Sequence, residues 1–180
     1  MSWDVQFIPN GYSIRPAREQ DLALLPALER AAVQLFLETE YAAFAKDDGY
    51  DADIYRAWFE HGAILIAERD GELAGFATAE EVEQQGFYAL LCVHPAHAKR
   101  GLGRALTEAI KAWCVTRGYT FLTMTTFPNI AWNAPIFERM GFRIMREEEL
   151  TPGLLALRAE EVESGLAPEE RVFMTIALEA

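Results

Sequence analysis

Cysteine and histidine are scarce in this sequence, and their scarcity excludes several kinds of site. The 180-residue chain has two cysteines and three histidines. Cys92 and Cys114 stand alone in apolar surroundings, without the CxxC spacing of a redox or zinc motif, so both are interpreted as small buried hydrophobic residues. The histidines, at positions 61, 94 and 97, lack the spacing of zinc ligands, so no metal is expected.

Long apolar runs are missing as well. No stretch approaches the roughly 20 apolar residues that a membrane-spanning helix needs. The N-terminal Met1–Gln6 has neither the basic nor the apolar region of a signal peptide. We therefore expect no membrane association and a cytoplasmic location. Because no repeat, low-complexity tract or linker interrupts residues 1–180, a single domain is expected.

Basic residues are outnumbered, 16 against 28 acidic ones, which gives a formal net charge of −12. Such a surface repels phosphate backbones and anionic lipids, so nucleic acid is not expected as a partner. A cationic small molecule or a basic protein suits this charge better. The apolar fraction of 51% is ordinary for a globular protein and excludes a disordered tail.

The hydrophobic periodicity predicts an α/β fold. Asp70-Gly71 between two apolar runs predicts a hairpin, and Phe87–Val93, apolar throughout, predicts a buried central strand. Leu102–Arg117 predicts an amphipathic helix that Gly118 ends, and Glu80–Gln85 reads as a polar connection. The other predicted strands are Tyr12–Arg15, Ala63–Ala67, Leu73–Thr78, Tyr119–Thr125, Phe142–Glu149 and Arg171–Leu178. The other predicted helices are Leu22–Leu35, Ala52–His61, Ala131–Met140 and Pro152–Ser164.

This order of elements predicts a mixed central sheet, antiparallel early in the chain and partly parallel later, with about six to seven strands flanked by about four to five helices. Pro26 falls early in the first helical pattern and is tolerated there only within the first turn.

A glycine-rich loop with concentrated positive charge joins the strand ending at Val93 to the helix beginning at Leu102. Glycine lets the backbone approach a ligand closely, and the helix N-terminus favours a negative charge. The sequence therefore predicts a phosphate or pyrophosphate site in an otherwise acidic chain. The glycines and bases of this loop are Lys99, Arg100, Gly101, Gly103 and Arg104.

Two other phosphate loops fit less well. A Walker loop needs a final Gly-Lys-Ser/Thr, which is missing. A dinucleotide fingerprint needs a third Gly or Ala where Leu106 stands, and an acid about 20 residues later, which the chain does not offer. A glycine-rich turn that merely caps a core helix remains an alternative.

The run Val93–Leu106, V-x-P-x-x-x-K-R-G-L-G-R-A-L, resembles the acetyl-CoA loop of the GNAT superfamily of N-acetyltransferases, whose usual form is Gln/Arg-x-x-Gly-x-Gly/Ala. Downstream, Asn129–Phe142 resembles the family's later helix, which ends in Tyr-Glu-Lys-x-Gly-Phe. The order of elements is also similar, so the resemblance covers Tyr12–Leu178. It implies a GNAT-type fold and acetyl-CoA as co-substrate.

The resemblance also implies roles for individual residues. The end of the strand would pair with the pantetheine arm, and the N–H of Leu91 would polarise the thioester carbonyl. The segment from Thr125 to Phe127 would line the other side of the cofactor gap. The family's loop grips the CoA pyrophosphate, which here implies Ala98, Lys99, Arg100, Gly101, Gly103 and Arg104. The pantetheine arm would contact Leu91, Cys92, Val93 and Phe137, together with Asn129 or Asn133.

The sequence departs from the family pattern at three places. Ala98 replaces the usual Gln or Arg, and Phe137 replaces a tyrosine that often protonates the leaving thiolate. A thiol with a pKa of about 8.5 is nevertheless a tolerable leaving group near neutral pH. The two cofactor strands also lack the usual glutamate. Candidates for the general base are Glu81, Glu83 and Tyr88, although a solvated turn and a core tyrosine are the alternative interpretations.

The acceptor site of this fold lies between the first two helices and the sheet. This implies a lining that includes Phe36, Tyr41 and Trp58, near the acids Glu38 and Glu40. Aromatic faces with carboxylates suit a cationic amine. The alternative is that these aromatics pack in the core. The segment Pro152–Ser164 would roof the site.

The predicted function is transfer of an acetyl group from acetyl-CoA to a primary amine of a small molecule or peptide, by direct attack on the thioester. Two alternatives stay open: a GNAT-like module that binds acyl-CoA without turnover, and a nucleotide-binding α/β domain. The resemblance also allows a homodimer.

Overall fold

The computed structural model describes residues 7–46 and 49–179, and Met1–Gln6, without the pattern of a signal peptide, lies outside them. The described residues form seven strands and five α-helices, which confirms the predicted fold class. The strands are β1 (Ser13–Pro16), β2 (Ala63–Arg69), β3 (Glu72–Val82), β4 (Gln85–Val93), β5 (Phe121–Thr126), β6 (Arg143–Ile144) and β7 (Val172–Ala177). The helices are α1 (Leu25–Val33), α2 (Ala52–His61), α3 (Leu102–Thr116), α4 (Ala134–Arg139) and α5 (Pro152–Glu163).

The strands form one mixed sheet in the order β1-β2-β3-β4-β5-β7-β6. β1 and β3 both pair antiparallel with β2. β4 and β5 pair in parallel, and β7 runs antiparallel to both β5 and β6. The change from antiparallel to partly parallel pairing is the predicted one. Among the residues that the structure describes, no helix is both long and apolar enough to cross a membrane.

The chain divides into two compact units by its contacts. The first unit comprises Met1–Glu80 and Leu90–Trp113, and the second comprises Glu81–Ala89 and Cys114–Ala180. Strand β4 and helix α3 each contribute to both units. Each unit has its own buried apolar residues: Leu25, Tyr55, Ile66, Phe76 and Leu106 in the first, and Leu122, Leu154, Phe173 and Met174 in the second.

The first helical pattern is less regular than predicted. Instead of one helix over Leu22–Leu35, short 3-10 helices at Glu19–Leu24 and Gln34–Glu38 flank α1. Pro26 lies in the first turn of α1, as required, because a proline there sacrifices no helical hydrogen bond. The α-helical part therefore begins only one residue before the proline.

Two tight hairpins build the first part of the sheet. The predicted turn at Asp70-Gly71 has φ of 53° and 84°, the left-handed pair that a two-residue hairpin needs. The predicted polar connection Glu80–Gln85 is wrong, because β3 continues to Val82 and a second two-residue turn follows. Glu83 and Gln84 adopt φ of 50° and 62° without a glycine.

Tertiary hydrogen bonds hold this second turn in place. The Glu83 carboxylate accepts from the backbone N–H of Gly153 at 3.0 Å. The side-chain oxygen of Gln85 accepts from the N–H groups of Thr120 and Phe121 at 3.0 and 2.9 Å. These contacts lie far apart in the chain, so local turn chemistry did not reveal them.

The predicted strand Phe142–Glu149 is also wrong in length. Only Arg143 and Ile144 pair with β7, and a 3-10 turn follows at Glu147–Glu149. The Glu149 carboxylate accepts from the backbone N–H of Arg146 at 2.8 Å and from the Arg143 guanidinium at 2.7 Å, which folds the chain back on itself. These hydrogen bonds lower the pKa of Glu149 to about 2.

Helix α3 matches its prediction closely. The predicted apolar stripe is buried along its whole length: Leu102, Leu106, Ala109, Ile110, Trp113 and Cys114. Gly118 follows the helix with φ of 79°, the left-handed conformation that commonly ends a helix. The helix thus starts directly after the glycine-rich loop and presents its N-terminus there.

Candidate functional site

The loop between β4 and α3 has the backbone shape of an anion site. Lys99 and Gly101 adopt φ of 59° and 86°, immediately before the first turn of the 15-residue helix α3. Residues with positive φ in such a loop direct successive backbone N–H groups into one concavity of the backbone, and this concavity can bind an anion. The helix dipole adds to this preference because its N-terminal end carries partial positive charge.

Three cations surround this backbone. Lys99, Arg100 and Arg104 are exposed, and within residues 7–46 and 49–179 none of them forms an ion pair. In a chain with a net charge of −12, this is a local region of positive charge that no carboxylate of the described residues pairs with. Of the predicted loop donors, the N–H of Ala98 is already engaged, since it donates to the Pro95 carbonyl at 3.1 Å.

The two histidines of the loop shape its entry turn. The His94 Nδ1 accepts from the N–H of Ala96 at 3.2 Å, and a 3-10 turn follows at Pro95–His97. The Tyr12 hydroxyl and the His97 Nδ1 lie 2.9 Å apart, which ties the loop to the segment before β1. Burial, followed by the charges of His94, Arg100 and Arg69, lowers the pKa of His97.

At the end of β4, every second residue directs its backbone N–H and C=O groups away from β3. The N–H of His94 donates to the Ala74 carbonyl at 2.9 Å, and the Cys92 carbonyl faces Gly75, where an added Cβ would lie only 2.7 Å away. Because alternate residues of a strand direct their backbone groups to opposite edges, the N–H of Leu91 points away from β3. This orientation suits the predicted role of Leu91 as a donor to a bound carbonyl.

Residues of β4 contact helix α3 at two places. A Cβ added to Gly86 would lie 2.6 Å from the Cys114 sulfur of α3. A Cβ added to Gly103 of α3 would lie 3.6 Å from the Leu91 side chain. The paired register of β4 with β5 covers Gly86–Tyr88.

The segment around α4 carries the remaining predicted CoA contacts. Phe137 is buried, with its ring 6.2 Å from that of Tyr88 and 5.6 Å from that of Phe142. Asn133 is half-buried at the start of α4 and makes no side-chain capping bond, while Asn129 is exposed. The amide of Asn133 is therefore not used to hold the helix end.

A polar cluster joins the end of β5 to α5 and to the residue before β7. The Thr125 hydroxyl donates to Glu161 Oε1 at 2.5 Å and accepts from Arg171 at 2.6 Å. Arg171 also donates to Glu161 at 2.9 Å and lies 4.5 Å above the centre of the Phe127 ring. The other carboxylate oxygen of Glu161 is buried and has no hydrogen-bond partner among the described residues.

Helix α5, predicted to roof the acceptor site, lines a cavity of about 350 Å³ within the second unit. Arg158 of α5 and Phe173 of β7 both line it, and the Arg158 guanidinium lies 5.6 Å above the centre of the Phe173 ring. Arg158 is also paired with Glu147 at 2.7 Å, so its charge is neutralised at the cavity wall.

The predicted base candidates are not brought together. Glu81 accepts from the Tyr119 hydroxyl at 2.6 Å, and Glu83 accepts from Gly153 in the hairpin turn. Both acids therefore already accept hydrogen bonds at or beside the turn between β3 and β4. Tyr88 is buried, 3% exposed, with its ring against Phe137.

The predicted acceptor aromatics divide between surface and core. Phe36 is half-buried in a 3-10 helix, whereas Tyr41 is buried. Trp58 is only 4% exposed, with its ring 5.1 Å from Tyr50 and 5.8 Å from Tyr55. For Trp58 and Tyr41 the structure favours the alternative interpretation, that these aromatics pack in the core.

Sequence reasoning missed Glu29, a glutamate of α1 that is only 4% exposed. Its carboxylate accepts a short hydrogen bond from the Tyr55 hydroxyl and another from the N–H of Tyr50 at 3.2 Å. Its position in the sequence could have revealed its burial, because Glu29 falls four residues after Leu25 and three before Ala32 on the buried face of α1.

A model of the acetyltransferase (GNAT) family matches residues 30–142, which include β4, the cationic loop and all of α3 and α4. The chain belongs to the GNAT family of acetyltransferases. This confirms the resemblance seen in the loop and in the Asn129–Phe142 segment.

Curated relatives carry acyltransferase names. The chain is 28% identical over 153 residues to a mycothiol acetyltransferase of Amycolatopsis mediterranei, covering 78% of this chain and 49% of that protein. It is 34% identical over 108 residues to the L-amino acid N-acyltransferase MnaT of Escherichia coli, covering 54% and 60% of the two chains. The chain thus spans about half the length of the mycothiol acetyltransferase.

Solved GNAT structures share the fold. N-acetylglutamate synthase of Neisseria gonorrhoeae, complexed with coenzyme A and N-acetyl-glutamate, matches with a TM-score of 0.70 at 20% identity. The match covers 94% of this chain and 35% of the synthase chain. At this identity the likeness establishes the shared architecture of the GNAT fold and nothing about the acceptor.

Proposed function

We propose that this GNAT protein transfers an acetyl group from acetyl-CoA to a primary amine of a small molecule or peptide. One observation carries the proposal: Lys99 and Gly101, both with positive φ, lead into the N-terminus of α3, beside three cations that form no ion pair with any described residue. A backbone concavity, a helix dipole and uncompensated positive charge together suit a pyrophosphate. The CoA-bound solved structure of the same fold supports this choice of ligand.

The pantetheine arm would then lie along the edge formed by Leu91–Val93. In the reaction the acceptor's ammonium group loses a proton to a base or to water. Its freed lone pair then attacks the thioester carbon, and the N–H of Leu91 stabilises the oxyanion that forms. The C–S bond breaks next, and its electron pair leaves with the thiolate. Because Phe137 cannot donate a proton, the thiolate either leaves as the anion or takes its proton from another group, and a pKa of about 8.5 permits departure as the anion.

The other site assignments are part of the same proposal. Asn129, Asn133 and Phe137 are proposed to contact the CoA arm, and Phe36 to lie near the acceptor. The acceptor is a cation at neutral pH, which suits the net charge of −12. The names of the relatives point to different acceptors, so we assign neither acceptor to this chain.

Release of free thiol from acetyl-CoA tests this function directly. Purified protein is offered L-amino acids, polyamines, aminoglycosides and basic peptides, and we expect turnover with at least one amine. A protein that binds acetyl-CoA tightly by calorimetry but releases thiol with none of them would instead be a binding or sensing module.

Bulky residues in the loop test the CoA site separately. Gly101→Val places a β-branched residue at φ of 86°, and a Cβ there would also lie 3.4 Å from the Phe7 ring. We expect Gly101→Val combined with Gly103→Val to abolish acetyl-CoA binding in calorimetry. Gly165→Val is the matched control, because Gly165 also has a positive φ of 93° but lies after α5. Unchanged affinity in a folded double variant would contradict the assignment.

A further inference from the structure

An exposed aromatic ring from the segment before β1 lies against the cationic loop. A Cβ added to Gly101 would lie 3.4 Å from the Phe7 ring and 3.7 Å from the Pro9 side chain. Phe7 is nevertheless 59% exposed. Within residues 7–46 and 49–179, no other aromatic ring stacks on that of Phe7. Most of this ring is therefore open to solvent beside the loop.

The segment that bears this ring is anchored to the first unit. The N–H of Tyr12 donates to the Pro9 carbonyl at 3.1 Å, and Gly11 between them has φ of 81°, so residues 9–12 form a tight turn. The Tyr12 hydroxyl lies 2.9 Å from the His97 Nδ1, and the Tyr12 ring lies 5.6 Å from the Arg69 guanidinium. Residues 7–12 thus contact the loop at His97 and at Gly101, before and after its first two cations.

Positive charge is concentrated where this segment meets the loop. The three loop cations form no ion pair with any described residue. Arg69 adds a fourth cation, which approaches the carboxylate of Asp70 only to 3.6 Å. Arg69 and Arg100 both act on His97, because their charges help to lower its pKa after burial and the charge of His94. The exposed ring therefore lies at the border of a cationic surface.

This combination suits one part of coenzyme A that the loop alone does not explain. Beyond its pyrophosphate, coenzyme A has an adenosine with a 3′-phosphate, which is a flat base next to an anion. Aromatic side chains bind bases by stacking, and arginine and lysine bind phosphates. The nucleotide is bonded directly to the pyrophosphate, so a pyrophosphate held by the loop brings the base next to the loop as well.

Neither the core nor the matched part of the family accounts for the ring. A phenylalanine that is 59% exposed buries little of its apolar surface, so it contributes little to the stability of the fold. Residues 7–12 also precede residues 30–142, which the family model matches. A role for Phe7 is therefore argued from its position alone.

We propose that the Phe7 ring stacks on the adenine of acetyl-CoA and so makes the nucleotide end of the donor part of what the protein recognises. This inference rests on the proposed acetyl transfer and deepens it by naming the donor class. The donor is then a coenzyme A thioester. An acyl group on the phosphopantetheine of a carrier protein is a poor donor, because it has no adenosine.

A series of substitutions at Phe7 tests whether the ring stacks. Phe7→Ala is expected to weaken acetyl-CoA binding at least about fivefold in calorimetry, the lower end of what one stacked base contributes. Phe7→Leu, apolar but without a π face, should lose nearly as much, whereas Phe7→Trp should bind as tightly as wild type or more tightly. Phe121→Ala is the matched control and should bind as wild type, because Phe121 is an exposed phenylalanine of β5 in the second unit.

A ligand without the nucleotide separates stacking from an effect on the shape of the loop. Acetyl-4′-phosphopantetheine keeps the thioester, the arm and a phosphate for the loop, but it has no adenosine. Phe7→Ala should change its affinity by less than about twofold, because the group that the ring contacts is missing. Saturation-transfer NMR measures this affinity where binding is too weak for calorimetry. Equal losses for the two ligands overturn the proposal, because the ring would then only hold the loop in shape.

Failure to fold and failure of the function remain distinguishable. Circular dichroism and thermal melting report folding, and if Phe7→Ala does not fold, the comparison of Phe7→Leu with Phe7→Trp decides. Wild-type affinity in Phe7→Ala or in Phe7→Leu overturns this inference alone. Wild-type protein that binds no acetyl-CoA overturns the proposed function and this inference together.

Discussion

The Tyr119 hydroxyl donates to the exposed carboxylate of Glu81, beside the turn between β3 and β4. Burial, with the hydrogen bond and the charge of Glu81, raises the pKa of Tyr119 to about 12. Below pH 10 both the folded and the unfolded chain hold this proton. Between about pH 10 and 12 only the folded chain holds it, so stability contributed by this group is lost as pH rises.

We therefore expect Tyr119→Phe to flatten the alkaline loss of stability. The free energy of unfolding, from urea titrations at pH 9, 10 and 11, should fall less steeply in the variant, by at most about 1.4 kcal/mol per pH unit. Tyr55, whose pKa is raised as well, contributes equally to both proteins. Identical slopes for the two proteins would contradict the effect.

Residue types indicated the cationic, glycine-rich loop but not the buried acid Glu29. Lys99, Arg100 and the two glycines are informative because their types and spacing are unusual next to a helix start. Glu29 is a common residue in a helix, and only its position on the apolar face of α1 distinguishes it. Which glutamate is buried depends on α2 and the segment before it, and that packing is not local.

At the scale of elements, Gly118 follows helix α3, and we expect its substitution to lower the free energy of unfolding only by straining the backbone. Gly118 has φ of 79°, and an added Cβ would meet nothing within 4 Å. We expect Gly118→Ala to lower the free energy of unfolding by about 1–2 kcal/mol, because an L-residue is strained there. Chemical denaturation measures this loss.

Gly165 after α5 offers a matched comparison, since it has φ of 93° and equally open surroundings. Gly165→Ala should cost a similar amount. Gly118→Asn should cost less, because asparagine tolerates the left-handed region. Equal stability of wild type and Gly118→Ala would mean that the chain ends α3 in another way.

Elements with strong local signals were predicted well, and those held by distant contacts were not. α3 and the Asp70-Gly71 hairpin follow from periodicity and turn chemistry. The turn at Glu83-Gln84 has no glycine, and hydrogen bonds that Glu83 accepts from Gly153 and Gln85 accepts from Thr120 and Phe121 stabilise its surroundings. β6 is short because the Glu149 carboxylate folds the following residues into a turn.

At the scale of the whole molecule, the charge of the loop opposes that of the rest of the chain. Replacing Lys99, Arg100 and Arg104 by glutamine should weaken acetyl-CoA binding at least about tenfold at low salt, because the ligand is an anion. The remaining affinity should depend less on salt than that of wild type. Calorimetry at two salt concentrations measures both effects.

The control is a second triple variant with the same net charge. Glutamine at Arg56, Arg117 and Arg146, all exposed, also removes three positive charges, so the formal charge changes from −12 to −15 in both proteins. The control should lose much less affinity. Equal losses in the two triples would mean that the overall field, not the loop, determines CoA affinity.

The family and the fold were predictable from the sequence because two motifs occur in the family's order. The loop Val93–Leu106 and the Asn129–Phe142 segment flank one clear helix and one strand. The acceptor was not predictable, because the side chains of α1, α2 and the segment between them, which the resemblance implies as the lining of its site, meet only through packing. Trp58 illustrates this, since its type suggested a binding residue and its burial indicates a core one.

Because both cysteines are buried, we expect the folded protein not to react with thiol reagents. Cys92 and Cys114 are 2% and 0% exposed, and burial raises the pKa of the Cys114 thiol to about 12 and that of Cys92 as well. Since the thiolate is the reactive form, a colorimetric disulfide reagent should detect released coenzyme A without background from the enzyme. Without acetyl-CoA, any slow colour development would measure how fast transient opening of the fold exposes the cysteines to the reagent.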